Sequence, residues 1–276
     1  MLGLRKTATF MAFMGLSVGG AHGADMWSDS QASYKDAPGN YWVVTVGGYG
    51  AAEPEFPGSK SYTFAFRPII DIHRAGEKEW LSLPDDAFSI ALYQTSNFRI
   101  GVAGDYLLNR NHSDDSALRG LRDINYTLEL GAFAEYYPTP FLRTRIEVLQ
   151  GVTGADGLLA NLSADYIYRP DYRWQFTVGP RLQFANTQYE STFFSISSAE
   201  AITSGLAPYH ASGGINSVGV DATARYNVNE RFSLRAFADF ERLVGDGANS
   251  PLVKLRGSED QFEVGIGASY TFHYSQ

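Results

Sequence analysis

Beyond the N-terminal segment the chain carries four histidines, His73, His112, His210 and His273. Acyl-transfer chemistry needs a nucleophile, a base within hydrogen-bond reach and a group that orients the base. Only His112 has such company nearby, in His112-Ser113-Asp114-Asp115, and His210 joins it only if two loops fold together. Residues adjacent in one polar loop rarely converge on a common point, so the expected reading is ordinary solvated loop residues and no catalytic site. Gly151-Val152-Thr153-Gly154-Ala155-Asp156-Gly157 is rich in glycine but lacks the lysine and helix of a phosphate loop, and reads as a turn between strands. There is no cysteine and no His-Glu-x-x-His spacing for zinc, and the Asp114-Asp115 pair alone is a poor calcium site. No cofactor is expected.

A different set of charges is spaced for structural chemistry. Glu129, Glu135, Arg143, Arg145, Glu147, Asp165, Arg181, Asp221, Arg225, Arg235, Asp239, Glu241 and Glu263 each alternate with apolar or small neighbours. Successive side chains of a strand point to opposite faces, so these charges share one face of a sheet. Both signs are interleaved, so neighbours can pair across strands. The expectation is a charge network lining a narrow or blocked lumen, in which mutual satisfaction outweighs selective ion passage.

The elements that must position these charges are strands. Gln261–Phe272 places Phe262, Val264, Ile266, Ala268, Tyr270 and Phe272 on one face, and Gln261, Glu263, Gly265, Gly267, Ser269 and Thr271 on the other. Tyr126–Tyr137, Leu142–Val148, Asn161–Tyr168, Trp174–Phe184, Val218–Tyr226 and Phe232–Glu241 repeat the rhythm. Earlier strands are expected over Tyr41–Tyr49, broken by the proline-containing stretch from Ala51 to Gly58, and over Lys60–Ile72, Glu79–Leu83, Phe88–Gln94 and Phe98–Leu108. The count is about twelve, an even number. Turns at Pro138–Pro140, Pro170–Tyr172 and Asn227–Glu230 are short, whereas Asn109–Asp123, Asn186–Gly213 and Val244–Asp260 are long. Tyr136, Tyr137, Phe141, Tyr168, Tyr172, Trp174, Tyr226 and Phe232 crowd the short turns, as an interfacial aromatic girdle requires. The fold expected is all-β, a transmembrane up-and-down antiparallel barrel with short periplasmic turns and long external loops.

The N-terminus agrees with an exported chain. Arg5 and Lys6 precede an apolar run from Ala8 to Val18, and Ala21 and Gly23 are the small residues that precede a cleavage site at Ala24. The division expected is a signal peptide over 1–23, a periplasmic leader over 24–38 and a barrel over 39–276. Loss of Arg5 and Lys6 leaves 20 basic against 30 acidic residues, a net charge of −10. Such an acidic chain has no basic stripe for phosphates, so no nucleic-acid partner is expected. Mean hydropathy is only −0.20 despite 17 Tyr and 18 Phe, the balance expected when alternate residues face lipid and a polar interior.

Two loops have readable local structure. Ser197-Ser198-Ala199-Glu200 has the spacing of a capping box, and Gly205 followed by Pro208 stops a helix, so a short helix over Ser198–Ser204 is predicted. It either closes the barrel mouth or binds a partner. Arg242 and Asp246 offer a local ion pair.

Ser113–Leu121 with Arg119 and Gly120, Phe193–Gly205 with Ser204 and Gly205, Arg242–Asp246 with Gly245, then Ser250-Pro251 and Gly257-Ser258, resemble signature segments of the MipA/OmpV outer-membrane family, the MltA-interacting proteins. The similarity covers nearly all of the chain after residue 23. It implies an outer-membrane barrel in a Gram-negative bacterium, in contact with lipid and lipopolysaccharide. It also implies a non-enzymatic scaffold that links a murein transglycosylase to a peptidoglycan synthase; a porin-like channel or an adhesin is the alternative among relatives. His273–Gln276 follow Phe272, where the family usually ends, and Tyr274 keeps the alternation.

Overall fold

A computed structural model of the chain describes residues 41–78, 81–83 and 88–275. The expected signal peptide and leader lie outside these residues. Within them, twelve antiparallel strands follow one another around a closed barrel, and the last pairs with the first. They are β1 Tyr41–Pro54, β2 Tyr62–Arg74, β3 Leu81–Leu83, β4 Phe88–Gln94, β5 Phe98–Leu107, β6 Thr127–Thr139, β7 Leu142–Gly151, β8 Gly157–Tyr168, β9 Trp174–Ala185, β10 Gly214–Asn227, β11 Phe232–Leu243 and β12 Asp260–Ser275. No helix among the described residues is long and apolar enough to cross a membrane.

Closure follows from the sequence of β12. Its wet face must be hidden and its oily face must meet acyl chains, and a cylinder does both without leaving an edge. Ile266 is 73 % exposed on the outside, whereas Thr271 and Ser269 are buried within. The β1–β12 seam runs Tyr41 opposite Ser275 to Ala52 opposite Val264. Tyr274 stands opposite Trp42 in that ladder and is exposed outward, continuing the alternation past Phe272.

Two expectations about the wall are corrected. The first strand does not break at Ala51 but runs through Pro54, which stands opposite Tyr62. Proline is tolerated there because it closes the strand, and the extended ladder with β2 carries Glu53 up to the barrel mouth. Tyr137 is not part of the outward girdle; it points inward and is buried, because the alternation that exposes Tyr136 turns its successor to the lumen. Tyr136, Phe141, Tyr168, Tyr172 and Trp174 are exposed near the short turns as the girdle requires.

The long loops share the end of the barrel opposite Tyr41 and Ser275, where β1 begins and β12 ends. They carry four helices among the described residues: α1 Thr187–Phe194, α2 Ser198–Ser204, α3 Gly245–Asn249 and α4 Pro251–Arg256. The predicted α2 is present with its full capping box: Ser197 Oγ accepts from the Glu200 amide, and Glu200 accepts from the Ser197 amide. Gly205 ends it at φ 74°, a left-handed conformation that glycine adopts without a Cβ clash.

Candidate functional site

Two regions can act: the lumen and the cap that covers it. Around the lumen the charges form a chain from strand to strand. Glu135 of β6 is its hub, bonded to Arg99 of β5 at 3.1 Å, Arg143 of β7 at 3.0 Å and Arg145 of β7 at 3.5 Å. Arg145 also holds Glu147 at 2.6 Å, and Asp165 of β8 lies 3.8 Å from Arg143 and 2.7 Å from Arg181 of β9. Arg181 in turn reaches Asp221 of β10 at 3.2 Å. An amide ladder runs alongside: Asn216 donates to Gln183, Gln183 to Asn161 at 3.0 Å, and Asn161 to Glu147 at 3.5 Å. Across the seam, Arg67 of β2 joins Glu53 of β1 at 2.6 Å to Glu263 of β12 at 3.0 Å.

These side chains fill the bore. Arg99, Asp165 and Asp221 are each 0 % exposed, so a water-sized sphere does not reach them. A cavity of about 20 Å³ remains between Arg145, Glu147, Asn161, Arg181 and Glu241, room for about one water. Aromatic rings complete the filling. Arg145 lies 4.3 Å from the Phe133 ring centre, and Arg235 lies 5.1 Å from that of Phe237, close enough for cation–π attraction. Arg225 donates to Ser233 at 3.1 Å, and Glu129 and Asp239 are buried on the same inner face. Asp239 stands in register between Asp221 and Glu263, so three carboxylates line up across β10, β11 and β12.

The sequence names thirteen of these lumen charges by their alternation, but Glu53, Arg67 and Arg99 were passed over. The signal was present. Arg67 alternates with Phe64 and Phe66, and Arg99 with Phe98 and Ile100, the same two-residue rhythm that marks the later strands.

The cap is built in the opposite sense, apolar within and polar without. Phe193, Phe194 and Tyr189 of α1 pack on Leu243, Ala248 and Val253, while Phe56, Leu118, Leu121, Ile196, Leu206 and Leu252 form a second cluster. With Ala155 of the β7–β8 connection, five external segments contribute to these two clusters. Arginines tie them together through backbone carbonyls: Arg110 donates to Phe193, Arg122 to Ser191 and Thr192, and Arg256 to Ala117, Arg119 and Ser204. Burial pulls the Arg110 guanidinium down to about 10, with repulsion from Arg122 adding to it.

The signature residues converge here. The Gly120 carbonyl accepts from Thr203, and its φ of 80° and closeness to the Thr203 backbone leave no room for a Cβ. Ser204 precedes the Gly205 cap. Ser250 Oγ donates to the Phe194 carbonyl at 2.7 Å and caps α4, where Pro251 takes the first helical position. Ser258 donates its amide to Gly58, Gly257 packs on the same carbonyl, and Gly245 turns the chain into α3 at φ 59°. These residues hold loop to loop.

The expected Arg242–Asp246 pair does not form. Arg242 instead pairs with Asp260 at 2.6 Å and Glu259 at 2.8 Å, because these flank the base of its own hairpin. Asp246 turns the other way, accepting from the Ser212 amide at 2.8 Å. There it faces Glu190, a carboxyl 1 % exposed whose Oε2 has no hydrogen-bond partner. Burial, with Asp246 adding to it, pushes the Glu190 carboxyl up to about 8.

The histidine cluster is arranged for shape. His112 pairs with Asp123 at 2.8 Å, not with its sequence neighbours, and its amide also bonds Asp123. Those bonds hold the Asp123 carboxyl below its ordinary range. Asp114 accepts from the Asn111 amide and Asp115 caps a 3-10 turn at Ser116–Leu118. Among the described residues no group of three or more His, Asp or Glu side chains is disposed to hold a metal ion.

The sequence model of the family described as MltA-interacting protein MipA matches residues 46–272. No curated protein matches the chain. Among solved structures, a bacterial polysaccharide outer membrane secretin is similar at 10 % identity and TM-score 0.45, covering 85 % of this chain and 99 % of that one. An outer membrane channel from Pseudomonas putida F1 is similar at 13 % identity and TM-score 0.43, covering 86 % and 97 %. The NanC porin is similar at 10 % identity and TM-score 0.37, covering 83 % and 98 %.

Proposed function

The chain belongs to the MltA-interacting protein MipA family, and from that premise we propose that this barrel of the Gram-negative outer membrane is a non-enzymatic scaffold for murein-processing enzymes. The observation that carries the reading is the sealed bore: ion-paired arginines fill the lumen and a packed cap covers its mouth, so the surfaces of the barrel, not its interior, are left to act. The family description names MltA as a partner. A murein transglycosylase, and a peptidoglycan synthase brought beside it, are the partners proposed here. The described periplasmic turns are short, which directs such partners to the barrel rim and to the proposed leader, residues 24–38.

Crosslinking in intact cells followed by mass spectrometry tests this. Recovery of a lytic transglycosylase that is lost on deletion of residues 24–38 supports the scaffold. Recovery of no murein enzyme removes it. The second reading, a narrow channel, is favoured by the charged lining, since an apolar bore would not admit ions. Planar-bilayer recording separates the two, because large, steady open-channel currents from the intact protein contradict a sealed bore.

A further inference from the structure

The outer wall carries an apolar groove of about 580 Å³ on the half of the barrel nearer the short turns. Its floor is made of Ala222, Ala224, Ala236 and Ala238 on β10 and β11, and its raised bank of Tyr168 and Phe176 on β8 and β9. The bank is stiffened by stacking: Trp174 lies 5.3 Å from Phe176 and 4.7 Å from Tyr226, ring centre to ring centre. On a lipid-facing wall, large side chains normally fill the space between neighbouring ridges. Here four methyl-sized side chains leave a channel open along the strand direction.

The end of this groove that meets the periplasmic surface is cationic. Arg173, in the turn between β8 and β9, donates to Tyr172 at 2.8 Å and to Tyr226 at 3.3 Å, which holds its guanidinium at the girdle. Arg231, in the turn between β10 and β11, donates to Tyr270 at 3.5 Å on the far side. Both arginines are exposed. The register places Trp174 opposite Tyr226 and Phe176 opposite Ala224, so the groove lining begins three residues beyond Arg173 on β9 and five beyond Arg231 on β11. Asp171 and Glu230 share these turns, but Asp171 is committed to the Arg173 and Trp174 amides.

We propose that this groove is a binding site for an anionic glycerophospholipid of the periplasmic leaflet. An acyl chain lies on the alanine floor against the aromatic bank, and the headgroup phosphate meets Arg173 and Arg231. Charge complementarity selects the headgroup: arginine offers a fork of donors matched to phosphate oxygens, and basic residues at the headgroup level favour anionic over zwitterionic lipid. The position of the arginines selects the leaflet, since they stand at the end where β1 begins and β12 ends and not at the capped end.

Native mass spectrometry of the detergent-purified barrel, titrated separately with phosphatidylglycerol, phosphatidylethanolamine and lipopolysaccharide, tests the assignment. Phosphatidylglycerol is expected to bind about tenfold more tightly than phosphatidylethanolamine. The preference is expected to vanish in the Arg173→Gln/Arg231→Gln double variant, whose exposed side chains leave the wall intact. Ala236→Trp, which fills the groove, is expected to abolish retention of both phospholipids while the heat-modifiable electrophoretic mobility of the folded barrel is kept. Equal binding of the two phospholipids, a preference that survives the double variant, or retention of lipopolysaccharide in their place would each overturn the proposal. Inorganic phosphate in excess is expected not to displace the lipid, because it supplies no acyl chain; displacement would also count against the site.

Discussion

The lumen and the cap solve opposite problems with the same chain. Inside the barrel the buried material is ionic, and stability rests on arginines and carboxylates that complete one another. In the cap the buried material is apolar, and stability rests on ring and methyl packing beneath a polar surface. The difference comes from what lies on the other side of each layer. The wall must turn its oily residues toward acyl chains, which leaves polar ones for the inside, whereas the cap faces water and is built like a small soluble domain. Breaking a lumen contact takes a counter-charge from a buried ion; breaking a cap contact leaves a void.

Glu135→Ala is expected to have the largest effect. It removes a shared counter-charge from three buried guanidinium groups at once, and loss of one partner of a buried pair costs about 3–5 kcal/mol. The thermal midpoint of the heat-modifiable band should fall sharply, and Glu135→Gln should rescue it only in part. Phe194→Ala removes a ring that is 0 % exposed from the centre of the cap. A cost of about 3 kcal/mol is expected there, felt as faster proteolysis of the external loops with the barrel itself intact. If both variants melt barrel and cap together, the two regions are one cooperative unit and the contrast drawn above fails.

A smaller effect is expected from pH on the cap alone. The Glu190 carboxyl has an ordinary value of 4.5 and is raised to about 8 in the folded protein. Because the folded value lies above the unfolded one, the unfolded cap ionises first as pH climbs. The cap is therefore expected to lose stability progressively from about 4.5 to about 8 and to change little outside that window. Hydrogen exchange of α1 and α3 at a series of pH values reads this, and Glu190→Gln should flatten the profile. The least effect belongs to Arg242→Ala. Its pairs with Glu259 and Asp260 lie at the solvent-exposed base of the hairpin, so denaturant titration is expected to show little change.

The wall was legible residue by residue because a strand's period of two is local: it needs no knowledge of what the strand touches. Val264 and Glu263 declare their faces from their own neighbours, and so does Arg99 between Phe98 and Ile100. The α2 helix was legible for a similar reason, since Ser197 and Glu200 satisfy each other and Gly205 closes the last turn onto the Ala201 carbonyl. Helix α1 was not foreseen. Its N-cap Asn186 and the Tyr189/Phe193 spacing are there to read, but its stability comes from Leu243, Ala248 and Val253, about fifty residues away. The Arg242–Asp246 pair failed for the complementary reason: sequence proximity suggested a bond, and the fold offered Arg242 nearer carboxylates.

By itself the sequence determined that alternate residues are oily, that the strands are even in number and that long and short connections take turns, which together require a closed cylinder in a membrane. Those properties are periodic and local, so covalent order fixes them. Only the tertiary structure decided that Glu135 gathers three arginines, that loops from distant parts of the chain join in two apolar clusters over the mouth, and that four alanines meet to leave a groove. Each of these depends on which strands become neighbours and in what register, and register is settled only when the whole ring of hydrogen bonds closes.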